Sequence, residues 1–251
     1  MSQPVIATLH GWAMHHGLFG GLVERLPEAD WQGLDLPGHG LKRGRPWPTD
    51  QKSLLADLFV PLFDRVSGPV WLLGWSLGGL LAMQAVLEWP ERFRGLILIS
   101  ATPCFVTRTH WPDGVEQALL KAMAMDLADQ PERVFNRFLA LETHGSVDAR
   151  GELDRLKALA LRHGLPDRRA LLAGLKHLAE TDLVERLGEI PGPTLVLGGR
   201  HDKLVAWSGL ERLGQRLENA RLVNIPDSSH APFLTSPDRV AAEIRSFIDH
   251  V

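Results

Sequence analysis

The segment Leu72-Leu73-Gly74-Trp75-Ser76-Leu77-Gly78-Gly79-Leu80 constrains this chain more than any other. An apolar run of the kind that forms a buried strand passes straight into a glycine-rich stretch and then into a helical pattern over Leu77–Leu87. Joining strand to helix through a single residue requires a sharp turn with a strained central backbone. Side chains two positions before and after that residue collide across the turn, which accounts for Gly74 and Gly78. The turn pushes the Ser76 hydroxyl out above the sheet. It also leaves the Leu77 N–H unpaired at a helix start, where the dipole favours negative charge. The plainer reading of the same residues is a glycine-rich turn with a serine cap.

Around this segment, short apolar runs alternate with amphipathic ones. Strands are expected at Val5–Leu9, Trp31–Leu34, Val70–Leu73 and Gly95–Ile99, with helices near Leu22–Leu26 and over Gln51–Val66. That alternation implies a mostly parallel sheet covered on both faces. From Val106 to Ile190 only helical patterns remain, over Val115–Asp129, Pro131–Glu142, Glu152–Arg162 and Arg168–Leu178. Strands resume at Thr194–Leu197 and Arg221–Ile225, and a final helix covers Val240–His250. The chain therefore divides into a core of residues 1–105 and 191–251 and an all-helical cap of residues 106–190 inserted between the fourth and fifth strands. In such sheets reactive groups gather beyond the carboxyl ends of the strands, where a cap shapes the pocket.

Composition narrows the function classes. A formal net charge of −3 argues against a nucleic-acid binder. The single cysteine, Cys104, excludes an internal disulfide framework and multi-thiolate metal sites. No tyrosine is present to act as acid, base or oxyanion donor. The residues from Met1 to His10 lack a basic, then apolar, leader pattern, so a cytoplasmic protein is expected. The uncharged stretch from Val66 to Leu87 is long enough to span a bilayer, but its glycines and Pro69 fit a strand, a turn and a helix start better.

A serine nucleophile needs a base and an orienting acid, which on sheets of this kind follow it in the order acid, histidine. Asp202 stands just past the fifth strand and His230 just past the sixth, at the same edge as Ser76. Asp227 and Asp182 are the competing acids. His10-Gly11-Trp12 follows the first strand, where Gly11 lets the backbone approach a substrate carbonyl and the N–H groups of Trp12 and Leu77 form an oxyanion hole. His10, His15 and His16 raise the question of a metal, but no carboxylate or cysteine accompanies them in sequence, and none is expected.

With these residues in place the chain resembles an α/β-hydrolase along essentially its whole length. It is most similar to the pimeloyl-[acyl-carrier protein] methyl ester esterases of biotin synthesis. The similarity is carried by Leu9-His10-Gly11-Trp12, Asp35-Leu36-Pro37-Gly38-His39-Gly40, Gly74-Trp75-Ser76-Leu77-Gly78-Gly79, Pro103-Cys104-Phe105, Arg137-Phe138-Leu139-Ala140-Leu141 and His230-Ala231-Pro232-Phe233. The resemblance implies a cofactor-free serine esterase that frees the pimeloyl carboxylate on acyl carrier protein. It implies a substrate site of Trp12, Ser76, Leu77 and His230 with Phe138, Leu139, Ala140, Leu141 and Glu142 against the acyl chain. It further implies carrier-protein contacts at Arg133, Arg137, Arg150 and Arg155.

Three features depart from the family pattern: a short N-terminal region before the first strand, Glu142 where a neutral amide is expected, and Arg155 displaced by one position. A serine at the turn argues against dehalogenase and epoxide hydrolase chemistry. The rival readings are another capped hydrolase of small esters (a broad carboxylesterase, an enol-lactonase or a carbon–carbon bond hydrolase) and a non-catalytic binder on the same fold.

Overall fold

The computed structural model describes residues 3–251. Met1 and Ser2, with which the expected core range begins, lie outside the described residues. Six strands form one fully parallel sheet: β1 (Val5–Leu9), β2 (Asp30–Leu34), β3 (Val70–Trp75), β4 (Phe93–Ile99), β5 (Thr194–Gly199) and β6 (Ala220–Ile225), in the order β2-β1-β3-β4-β5-β6. β3 and β5 are buried along their whole length, while β2 and β6 are half-covered edges. Central strands of a covered parallel sheet must be apolar throughout, and Val70–Leu73 and Leu96–Ile99 are.

Helices α1 (Gly20–Arg25), α2 (Gln51–Arg65) and α3 (Leu77–Glu88) connect the first strands, and α8 (Trp207–Arg216), α9 (Pro232–Thr235) and α10 (Pro237–Asp249) belong to the last two. α1 packs on α10, and α2 on α3. Because crossovers are right-handed, reversing direction after β2 sends these two pairs to opposite faces of the sheet. β1 and β3 flank the reversal, so their carboxyl ends open the crevice where such sheets bind ligands. The structure adds α8 and α9 to the elements expected from sequence. α8 turns Leu210 and Leu213 inward against β5 and β6.

Between β4 and β5 lie α4 (Gln117–Asp126), α5 (Pro131–Thr143), α6 (Ala149–Ala160) and α7 (Arg168–Glu180). α4 starts later than the periodicity predicts because Val115 is bridged to Val106, with its N–H donating to Phe105 at 2.9 Å. α6 starts earlier because the Asp148 carboxylate accepts the Gly151 N–H at 3.1 Å and caps it.

The helical segment is tied to the sheet's carboxyl end by bonds between residues far apart in sequence. Trp12 Nε1 donates to the Leu171 carbonyl at 2.9 Å, His15 Nε2 to Leu159 at 2.7 Å, and the Asp167 N–H to Gly38 at 2.9 Å. No helix among the described residues is long and apolar enough to cross a membrane.

Candidate active site

β3 ends at Trp75, and Ser76 carries the chain into α3 with φ 56° and ψ −121°. This backbone region is costly for any residue but glycine and persists only where the surroundings enforce it. The glycines do so. A Cβ on Gly74 would lie 2.5 Å from the Gly78 carbonyl oxygen and from the Gly79 Cα, a collision across the turn. Gly78 has a different reason from the one the sequence suggests: its Cβ would lie 2.2 Å from the carbonyl oxygen of Leu9, at the end of β1. The Ser76 N–H donates to Ile99 at 3.1 Å, and its carbonyl accepts from Gly79 at 2.9 Å. Its Oγ is buried and has no hydrogen-bond partner among the described residues.

Leu9 pairs with Gly74, so the residues after β1 run beside the turn. Gly11 is needed there for the Trp75 ring: a Cβ would come within 2.8 Å of the indole and 3.2 Å of Ser76 Cβ. The chain then turns tightly through Ala13, at φ 63°, with the Met14 N–H reaching back to the Gly11 carbonyl at 3.3 Å. The backbone N–H groups of Trp12 and Leu77 donate to no acceptor among the described residues. The Trp12 ring is fully buried, packs edge-on to Phe138 with ring centroids 4.7 Å apart, and covers Gly174 of α7.

Asp202 and His230 meet at this edge. His230 Nδ1 lies 2.8 Å from Asp202 Oδ2, and the other carboxylate oxygen accepts the N–H groups of Leu204 and Val205 at 2.8 and 2.9 Å. Three donors thus fix the position of this carboxylate. His230 is fully buried, and its Nε2 has no partner among the described residues. Gly199 lets the two loops come together, since a Cβ there would sit 2.0 Å from the Ser229 carbonyl oxygen. The competing acids go elsewhere: Asp227 is exposed, and Asp182 binds His110 at 2.8 Å and Arg108 at 3.3 Å.

The histidines after β1 are structural. His10 Nδ1 donates to Gly11 at 2.7 Å and Nε2 accepts the Leu36 N–H at 3.0 Å, while burial pushes its pKa down to about 3. His15 bonds Leu159 and accepts the Gly17 N–H. His16 corrects the sequence view that no carboxylate accompanies these residues, for its Nδ1 lies 3.0 Å from Asp35 Oδ2. Burial, the largest single influence, would raise the Asp35 pKa, but the His16 side-chain bond, the nearby His10 and the backbone N–H groups of His16 and Leu41 together outweigh it and hold the carboxyl below its ordinary range. Among the described residues no group of three or more His, Cys, Asp or Glu side chains is arranged to hold a metal.

α5 presents Phe138, Leu139 and Glu142 inward, all buried. Ala140 is exposed and Leu141 half-buried, so the structure does not bring Ala140 to the inner face with the others. At 100° per residue, position 140 points away from the stripe formed by 138, 139 and 142. Arg133, Arg137, Arg150 and Arg155 are all exposed. Arg133 is bonded to Gln130 at 2.8 Å and Arg155 to Asp148 at 3.2 Å, while Arg137 and Arg150 form no ion pair among the described residues.

Sequence reasoning missed the groups that hold the histidine loop. Trp75 Nε1 donates to the His230 carbonyl at 2.8 Å. From the other side, the Glu142 carbonyl accepts from the His230 N–H at 3.1 Å and from Ser229 Oγ at 2.6 Å. No sequence signal marks these, because the partners are 87 to 155 residues apart. A cavity of about 780 Å³ opens between α2, α3 and α7, lined in part by Trp47, Gln84, Lys176 and His177, without including Ser76.

Comparison with known proteins agrees with this geometry. Residues 4–237 match the family model described as alpha/beta hydrolase fold. The chain is 38% identical over 248 residues to the pimeloyl-[acyl-carrier protein] methyl ester esterase of Xylella fastidiosa strain M23, covering 98% of this chain and 95% of the relative. It is 37% identical over 249 residues to the enzyme of that name from Xanthomonas oryzae pv. oryzae strain MAFF 311018, covering 99% and 96%. Among solved structures, an esterase from Exiguobacterium antarcticum superposes with a TM-score of 0.86 at 21% identity, covering 99% of this chain and 92% of that one, and shares the fold. The chain belongs to the α/β-hydrolase family and is a relative of the pimeloyl-[acyl-carrier protein] methyl ester esterases.

Proposed function

We infer that this chain is a serine carboxylesterase that acts in the cytoplasm on the methyl ester of pimeloyl-[acyl-carrier protein], yielding methanol and pimeloyl-[acyl-carrier protein] with its carboxyl free for biotin synthesis. The observation that carries the chemistry is the buried Asp202–His230 pair at 2.8 Å, with a partnerless Nε2, at the same sheet edge as the partnerless Ser76 Oγ. The substrate reading is supported by the relatives that share 37 to 38% of their residues with it.

On this reading Ser76 Oγ attacks the ester carbonyl and His230 Nε2 takes its proton. Asp202 holds the imidazole in the tautomer with a proton on Nδ1 and stabilises the imidazolium. The N–H groups of Trp12 and Leu77 receive the developing oxyanion, each such donor typically contributing ~10²–10³ in rate. His230 returns the proton to the leaving methoxide, and methanol departs. A water then attacks the acyl-enzyme, again with His230 as base, and Ser76 is regenerated as the acid leaves.

The helical segment between β4 and β5 acts as the cap. Phe138 and Leu139 line the acyl site, and the exposed arginines of α5 and α6 face the acidic carrier protein. The test is methanol release from carrier-bound pimeloyl methyl ester compared with free dimethyl pimelate. A large preference in kcat/KM for the carrier-bound ester supports the reading. Equal rates on the two, or faster opening of an enol-lactone, would overturn it.

A further inference from the structure

The backbone of Trp12 belongs to the sheet edge, but its side chain belongs to the cap. Its N–H, assigned above to the oxyanion, lies in the tight turn after β1. There the Met14 N–H reaches back to the Gly11 carbonyl at 3.3 Å and Ala13 sits at φ 63°. On the core side, Gly11 is so close to the Trp75 ring that a Cβ would come within 2.8 Å of it. On the cap side, the fully buried indole donates from Nε1 to the Leu171 carbonyl of α7 at 2.9 Å and stands edge-on to Phe138 of α5. One residue therefore links an oxyanion donor to two cap helices.

Gly174 of α7 meets both donor residues. A Cβ there would lie 2.8 Å from Trp12 Cδ1, 3.3 Å from Trp12 Nε1 and 3.4 Å from Leu77 Cδ2. Glycine is among the weakest helix formers, and position 174 is ordinary buried helix that needs no left-handed backbone. The inward positions around it carry Leu171, Leu175 and Leu178. Space is thus the reason for glycine at 174. The indole packs on the α7 backbone itself, close enough to reach a main-chain carbonyl three residues earlier.

A displacement of α7 reaches the turn by either of two routes. Pressed inward, the helix meets Trp12 and Leu77. Its other side borders the cavity of about 780 Å³ at Ala173, Lys176 and His177. Shifted toward that cavity, the helix carries the Leu171 carbonyl with it and draws the indole away. A tryptophan side chain has only two torsions, so little of such a movement is absorbed before the backbone. An oxyanion donor must lie within a few tenths of an ångström of its working distance, so small shifts count.

We propose that α7 is a positioning element for the oxyanion hole, in which Gly174 and the Leu171 carbonyl seat Trp12 and Leu77, so that the cap sets transition-state binding as well as covering the acyl chain. The proposal rests on the esterase reading and extends it to the cap. Gly174 touches no reacting atom. It acts through the two residues packed on it.

The experiment uses the whole enzyme with p-nitrophenyl butyrate and its thiono analogue, in which sulfur replaces the carbonyl oxygen. Sulfur is larger and accepts hydrogen bonds weakly, so an intact hole favours the oxygen ester and a displaced one favours it less. Gly174→Ala should lower kcat on the oxygen ester by about tenfold or more, with KM little changed, and should reduce the oxygen-to-sulfur ratio of kcat/KM by a comparable factor. Trp12→Phe keeps a ring but loses the Nε1 donor, and should move the ratio the same way. The double variant should lose less than the product of the two, since both act on one contact. A purely structural loss lowers both substrates alike, so a ratio that stays at the wild-type value in the variants overturns the proposal. Should Gly174→Ala fail to fold, Trp12→Phe decides alone. A wild type that hydrolyses neither ester overturns the esterase reading itself, a result distinct from wild-type discrimination with an unmoved ratio.

Discussion

Trp75 Nε1 donates to the carbonyl of His230 at 2.8 Å, and the two rings lie 5.5 Å apart. The residue immediately before Ser76 therefore holds the loop that carries the histidine. The Glu142 carbonyl grips the same loop through the His230 N–H, so a strand end and a helix end clamp one imidazole between them. Two fixed backbone bonds leave the ring little freedom, and placement within fractions of an ångström is what general-base catalysis demands.

Trp75→Phe keeps an aromatic ring but deletes the donor and leaves a buried carbonyl unpaired, at a cost of about 1–3 kcal/mol. We expect a lower melting temperature and a kcat on p-nitrophenyl butyrate reduced by tenfold or more. Unchanged kcat alongside the stability loss would show that the clamp does not position His230.

Ser76→Ala and Ser76→Gly should both abolish turnover and labelling by a fluorophosphonate. They should differ in stability. At φ 56° and ψ −121° alanine remains strained and glycine does not, so the glycine variant should be the more stable by roughly 1 kcal/mol. Thermal unfolding of the pair measures the strain, and persistent labelling of either would remove Ser76 as nucleophile.

Asp202→Asn should cost up to ~10⁴ in kcat by wrong-tautomer placement of His230. Asp227→Asn should be mild because Asp227 is exposed and makes no bond to the imidazole. The reverse ranking would reassign the acid.

Arg137→Ala should lower kcat/KM for the carrier-bound ester and leave small esters untouched, with the loss shrinking at high salt as exposed charges are screened. Arg133→Ala should be weaker, since Arg133 is already engaged by Gln130. Equal loss on both substrates would mean that the arginine supports the cap rather than meeting a partner.

Glu152 has a folded pKa of about 7 against an ordinary 4.5, so the folded protein holds this proton more tightly than the unfolded chain. The associated stability is fully present below pH 4.5 and is lost as pH rises through about 7. Glu152→Gln cannot ionise. It should therefore be more stable than the wild type at pH 8, by an amount on the order of 1–3 kcal/mol, and no more stable at pH 5. A difference that does not vary with pH would show that Glu152 is not neutral when folded.

The strand-turn-helix around Ser76, the alternation of strands and helices and the position of His230 were legible because each is written in contiguous residues. Periodicity reports which face is buried, and glycine reports where backbones approach. The individual glycines answer to more than their own turn. Gly74 is required by its own turn, but Gly78 is required by Leu9, sixty-nine positions earlier, and Gly11 by the Trp75 ring. α4 and α6 shifted at their starts because a bridge to Val106 and a cap from Asp148 compete with the helical pattern.

The sequence by itself thus determined the sheet, the inserted helices and the candidate nucleophile, acid and base, since these follow from local pattern and residue type. Only the tertiary structure decided that Asp202 rather than Asp227 meets His230, that Ala140 turns away while Glu142 turns in, and that Trp75 and Glu142 clamp the histidine loop. Each of those depends on which groups share a buried space after residues 28 to 155 positions apart have packed together. In that space an unpaired donor or charge is costly enough to dictate its partner, and no local pattern carries that information.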